Sequence, residues 1–115
     1  MTPLYDRLGR VRAWLQQEHC RIVSLQGAHL ASIEGHSVYD RFGTHIGWWK
    51  HGHMRDSRGA VVVWASESFG LGVIRPPQMA SPAEPAEPVV KSWHARSTSP
   101  MHPARSATWA VELPF

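Results

Sequence analysis

The segment Tyr5-Asp6-Arg7-Leu8-Gly9 returns as Tyr39-Asp40-Arg41-Phe42-Gly43. The residues downstream of each glycine return too: Ala13-Trp14-Leu15 stands at the offset of Gly47-Trp48-Trp49. A third copy is Met54-Arg55-Asp56-Ser57-Arg58-Gly59 with Val63-Trp64-Ala65. A degenerate one is Ile22-Val23-Ser24-Leu25-Gln26-Gly27 with Ala31-Ser32-Ile33. The repeat glycines lie 18, 16 and 16 residues apart. Each copy centres on Asp-x-x-Gly, a four-residue turn. The side chain of Asp6, Asp40 or Asp56 accepts a backbone N–H two residues on, and Ser24 does so more weakly. Gly9, Gly27, Gly43 and Gly59 take the left-handed end of the turn. Short β-prone runs flank the turns (Ile22–Val23, Val38–Tyr39, Ile46–Trp49, Val61–Trp64), and Gly35 and Gly52 mark the return turns. Each copy therefore reads as a β-hairpin, and the whole as an all-β meander of about eight short strands.

Neighbouring strand positions face opposite ways. Ala13, Ala31, Gly47 and Val63 line one face, small enough for strands converging on a central axis. Trp14, Ser32, Trp48 and Trp64 line the other. With Leu4-Tyr5-Asp6-Arg7-Leu8-Gly9, with Val38-Tyr39-Asp40-Arg41-Phe42-Gly43-Thr44-His45-Ile46-Gly47-Trp48-Trp49, and with Gly52, Asp56 and Gly59, the chain resembles the bacterial four-fold beta flower domain family. The resemblance runs from about Leu4 to Trp64, with a proline-rich tail ending in an aromatic. It implies a compact, flower-like, pseudo-four-fold β domain and no established activity. The copy around Gly27 departs from the family pattern at Ser24 and Ser32.

Punctuation divides the chain. All nine glycines lie between Gly9 and Gly72, and eight of the nine prolines between Pro76 and Pro114. Residues 1–74 read as the hairpin domain. Residues 75–115 read as a disordered proline-rich linker with a short apolar C-terminal segment. The net charge of +3 is too mild to indicate nucleic acid by itself. No apolar run of 18 residues is present, so no membrane partner is expected. No secretory signal is recognisable, so a cytoplasmic protein is expected. Cys20 is the only cysteine, which excludes an internal disulfide, a cysteine-based zinc site and a CxxC pair.

No catalytic constellation emerges. The three aspartates belong to turns. His19 and Cys20 are adjacent, hence badly placed for each other on a strand. Eight histidines include the equivalent pairs His29/His45 and His36/His53, and a His51-Gly52-His53 motif that a turn glycine breaks. The expectation is a non-enzymatic binding or assembly module with no cofactor and no metal. It would engage another macromolecule through a Trp/His face (His45, Trp48, Trp49, His51, His53) or through the tail (Trp109, Leu113, Phe115). Trp109, Val111 and Leu113 would share a face if the tail added to a sheet edge. A small core and open sheet edges point to a homo-oligomer. The alternatives are a nucleic-acid binder using Arg10, Arg12, Arg41, Arg55 and Arg58 around the indoles, and a histidine-based metal-dependent enzyme. Gly43→Val is expected to damage folding far more than Gly72→Val.

Overall fold

A computed structural model describes residues 1–85 and 104–115. The described residues form eight strands: β1 (Thr2–Tyr5), β2 (Val11–Gln16), β3 (Arg21–Val23), β4 (His29–Glu34), β5 (Ser37–Asp40), β6 (His45–Lys50), β7 (His53–Asp56) and β8 (Val61–Trp64). A 3-10 turn at Gln17–His19 joins β2 to β3. Every strand pairs antiparallel with the next, and β8 returns to β1 to close a barrel within one chain.

All four repeat turns share one chemistry. Asp6 Oδ1 accepts from the N–H groups of Leu8 (2.9 Å) and Arg10 (3.0 Å). Asp40 does the same for Phe42 and Thr44, Asp56 for Arg58 and Ala60, and the Ser24 hydroxyl for Gln26 and Ala28. The closing glycines have φ between +77° and +91°. At the other end, N–H groups of one hairpin donate to the preceding return turn: Ile33 to Cys20 O, Trp49 to His36 O, Ala65 to Gly52 O.

Register also repeats. Leu4 faces Ala13, Ile22 faces Ala31, Val38 faces Gly47 and Met54 faces Val63. These residues are buried and, glycine aside, belong to one apolar cluster. The row of small residues thus fills the barrel interior and is not a surface open to a second copy. In every hairpin the register then slips by one, leaving Arg12, Leu30, Ile46 and Val62 as bulge residues. A bulge reverses the facing of the residues before it.

Closure is uneven. The β1–β8 seam holds a single register pair, Tyr5 with Trp64. Val61 lies beyond it with N–H and C=O turned outward, and buried backbone groups require partners. The C-terminal segment supplies them. Val61 N–H donates to Thr108 O (3.0 Å), Ala110 N–H donates to Val61 O (2.8 Å), and Trp109 bridges Val61 in parallel. Residues 75–85 are held as well: Met79 N–H donates to Gly9 O and Arg75 to Ser66 O. The described parts of the tail are therefore docked, which corrects the expectation of disorder for them. The linker stretch with Pro88, Pro100 and Pro103 lies outside the described residues.

Gly72 also has a left-handed φ, +74°, so it is no neutral reference for Gly43. A sharper contrast is Gly59 against Gly35. Both have positive φ, but a Cβ at Gly35 meets nothing, whereas one at Gly59 strikes the backbone oxygen of Ala104. Gly35→Ala should cost about 1 kcal/mol from backbone strain alone. Gly59→Ala should lower the melting temperature at least twice as far, measured by circular dichroism.

Candidate functional site

The Trp/His residues do not form one surface. Trp48 is 4% exposed and His53 2%. The outer indoles are covered: Trp64 stacks on Tyr5 (centroids 4.9 Å), lies under the Arg75 guanidinium (5.5 Å) and donates from Nε1 to Asp6 O. His45 packs edgewise on Tyr39 (5.3 Å) and Trp48 (4.8 Å). His45 and Trp48 are three residues apart and would face opposite ways on a regular strand. The Ile46 bulge brings them together. The equivalent bulge at Leu30 sets His29 Nε2 2.7 Å from Ser32 Oγ. Trp49 is half-buried against the barrel core. His51, at φ +54°, lays its ring on Phe69 (4.5 Å).

Burial pushes the His53 imidazole down to about 4, helped by the nearby Arg55 charge. Burial and Arg21 lower His29, and slight desolvation with Arg105 and Lys50 lowers His51. Asp6 goes the other way for an acid in the interior. Burial alone would raise it, but the N–H groups of Arg10 and Leu8 and the Arg10 charge hold it below the usual carboxylate range.

The arginines divide. Arg10 and Arg12 lie 3.3 and 3.4 Å from Asp6 Oδ2. Arg55, expected in a cationic surface, is 8% exposed. Its Nη1 donates to Gly59 O (2.6 Å) and Ser106 O (2.8 Å), and its Nη2 to Gly70 O (3.2 Å) and Leu71 O (2.8 Å). That removes one residue from the cationic face and makes it the clasp of the tail. Among the described residues no three His, Cys, Asp or Glu side chains converge as metal ligands, and His29 and His45 sit on separate hairpins with separate partners.

The three tail residues gather at one place. Trp109 packs with Tyr5, Val11, Val61 and Leu71, while Leu113 and Phe115 pack on the barrel cluster that includes Val62. The docked segment has open space on both flanks. One cleft of about 700 Å³ is lined by Asp56, Arg58, Trp109 and Leu113. The other, about 440 Å³, is lined by Arg7, Arg12, Val62 and Phe115. The arrangement is a strand seat beside Val61, apolar under Trp109, Leu113 and Phe115 and flanked by clefts lined in part by charged groups. No described helix is long and apolar enough to cross a membrane.

A sequence profile described as 4-fold beta flower protein matches residues 2–115. Searches among curated proteins and among solved structures return no match.

Proposed function

We propose, for a chain that belongs to the 4-fold beta flower family, that it is a non-enzymatic binding and assembly module whose working part is the strand seat beside Val61. The observation that carries this reading is the unfinished seam. Only Tyr5 and Trp64 pair across it, and the tail takes the hydrogen bonds Val61 has left through one parallel bridge at Trp109. Strand addition of this kind gives affinity through main-chain bonds and selectivity through alternate side chains. Here Trp109 sits at the bridge, and Leu113 and Phe115 pack on the barrel beyond a bend at 111–112. The resident tail holds the seat at high effective concentration, so a competing segment must displace it. That segment belongs to another protein or to a second copy of this chain, which makes the seat the route to self-association. The single exposed thiol of Cys20 fits a reducing, cytoplasmic setting.

Ala110→Pro in the full chain tests this. It deletes the N–H that donates to Val61 O and leaves the barrel ladder intact. The tail should loosen by about 1–3 kcal/mol, seen as faster amide exchange at Val61. A labelled peptide spanning 104–115 should then bind saturably, and bind the wild-type chain far more weakly. If the Val61 amide already exchanges at the free-peptide rate in the wild type, or the variant captures no peptide, the seat is not a docking site.

A further inference from the structure

In a barrel whose strands all run antiparallel to their neighbours, the turns after β1, β3, β5 and β7 emerge at one end. That end carries an unusual set of side chains. Leu8 and Phe42 hold the same position in the first and third turns and are 47% and 59% exposed. Each follows an exposed arginine, Arg7 or Arg41, and Arg58 holds the same position as Leu8 and Phe42 in the fourth turn. The Arg41 guanidinium lies 4.9 Å over the Phe42 ring. The turn end also holds Asp6, Asp40 and Asp56, whose carboxylates are bonded back to their own turns, and the opposite end carries the exposed Glu18, Glu34 and Lys50. We propose that the turn end is a peripheral docking surface for an anionic lipid bilayer, with Leu8 and Phe42 entering the headgroup region and Arg7, Arg41 and Arg58 meeting lipid phosphates.

Two features favour a bilayer over nucleic acid. The first is backbone satisfaction. In the first turn Asp6 takes the N–H groups of Leu8, Gly9 and Arg10, and in the third Asp40 takes those of Phe42, Gly43 and Thr44. A tip with these donors already bonded enters a poorly hydrated interface without the cost of stripping water from free N–H groups. The second is the identity of the apolar groups. Leu8 has no π face on which a base could stack, whereas a leucine and a phenylalanine among arginines suit an interface where apolar burial and attraction to anionic lipid act together. The expectation of no membrane partner rests on the lack of a spanning segment, which does not bear on a contact at the surface. The surface shares Arg7 and Arg58 with the clefts beside the strand seat, but its apolar anchors Leu8 and Phe42 line neither cleft, so their substitution tests this inference alone.

The test is co-sedimentation of the full chain with phosphatidylcholine vesicles, with and without phosphatidylglycerol. The chain should bind only the anionic vesicles and release in high salt. The exposed double substitution Leu8→Ser/Phe42→Ser should leave the melting temperature unchanged and weaken binding at least about tenfold. Arg7→Gln/Arg41→Gln/Arg58→Gln should weaken it and flatten its salt dependence. No binding at low salt, equal binding to both vesicle types, or a Leu8/Phe42 double variant that binds like the wild type would each overturn the proposal. So would retention on duplex DNA tighter than on vesicles and unchanged by that double substitution, which would assign the arginines to nucleic acid.

Discussion

Arg55→Met is expected to destabilise the protein by about 3–5 kcal/mol, a large part of the roughly 5–15 kcal/mol typical of a domain this size. The register shows why the position is special. Arg55 faces Val61 where Tyr5 faces Val11, Val23 faces His29 and Tyr39 faces His45. Three hairpins thus place an uncharged side chain there, and the fourth places a guanidinium. The guanidinium donates to four carbonyls, drawn from the repeat turn (Gly59), the loop after β8 (Gly70, Leu71) and the tail (Ser106). Methionine keeps the length and removes all four bonds; Gly59 O retains the Ser106 N–H, while the buried Leu71 O and the partly buried Gly70 O and Ser106 O lose the Arg55 donor. The cheapest relief is for the tail and the 70–71 loop to lift off and be hydrated. Urea unfolding should therefore show the loss together with rapid amide exchange at Ala110. Arg55→Lys keeps the charge but not the planar fork, and should recover less than half of the stability. A methionine variant within about 1 kcal/mol of the wild type would mean that the clasp contributes little.

The legible part of the sequence is local. Asp-x-x-Gly announces its own turn because acceptor and left-handed residue lie within four positions, and the degenerate Ser24 copy makes the same two bonds as the aspartates. The small residues at Ala13, Ala31 and Gly47 point correctly to strands around an axis. The bulges are not legible. Arg12, Leu30, Ile46 and Val62 share no residue type that marks a register slip, and without the slip His45 reads as facing away from Trp48. Arg55 reads as a surface residue because an arginine beside turn residues is ordinarily solvated. Its partners at Gly70, Leu71 and Ser106 are 15, 16 and 51 residues away. The Trp/His face dissolves for a related reason. Alternation assigns indoles to the outside of a barrel, but only the path of the chain after β8 decides whether that outside is wet. The tail's apolar end is visible in the sequence, but only Trp109 bridges the sheet; the chain bends at 111–112 and leaves Val111 79% exposed, so Trp109, Val111 and Leu113 do not share a face. That the edge is Val61 follows from a seam only the closed barrel reveals.

Between about pH 6.5 and 4 the protein should lose up to about 3 kcal/mol of stability through His53 alone, with about 2 kcal/mol gone by about pH 5. In the unfolded chain the imidazole titrates near its ordinary value of 6.5, and in the fold it is pushed down to about 4 by burial and by Arg55. Below about 6.5 the unfolded state takes up a proton that the folded state refuses, so stability is full above that pH and falls as acid is added. The lowered His29 and His51 act in the same direction. The loss is concentrated where the tail is fastened. His53 and Arg55 lie two apart on β7, on one face of the strand. Arg105 and His51 add positive charge nearby, and the four groups that accept from Arg55 are carbonyls, none of them a carboxylate that could absorb another charge. Protonating His53 therefore sets like charges against each other under the clasp, and the tail should lift before the barrel melts. His53→Met removes the titration and keeps an apolar volume. Its urea midpoint should fall far less between about pH 7 and pH 5 than that of the wild type, and its Ala110 amide should stay protected at the lower pH. Parallel pH profiles for the two proteins would show that the acid sensitivity lies elsewhere.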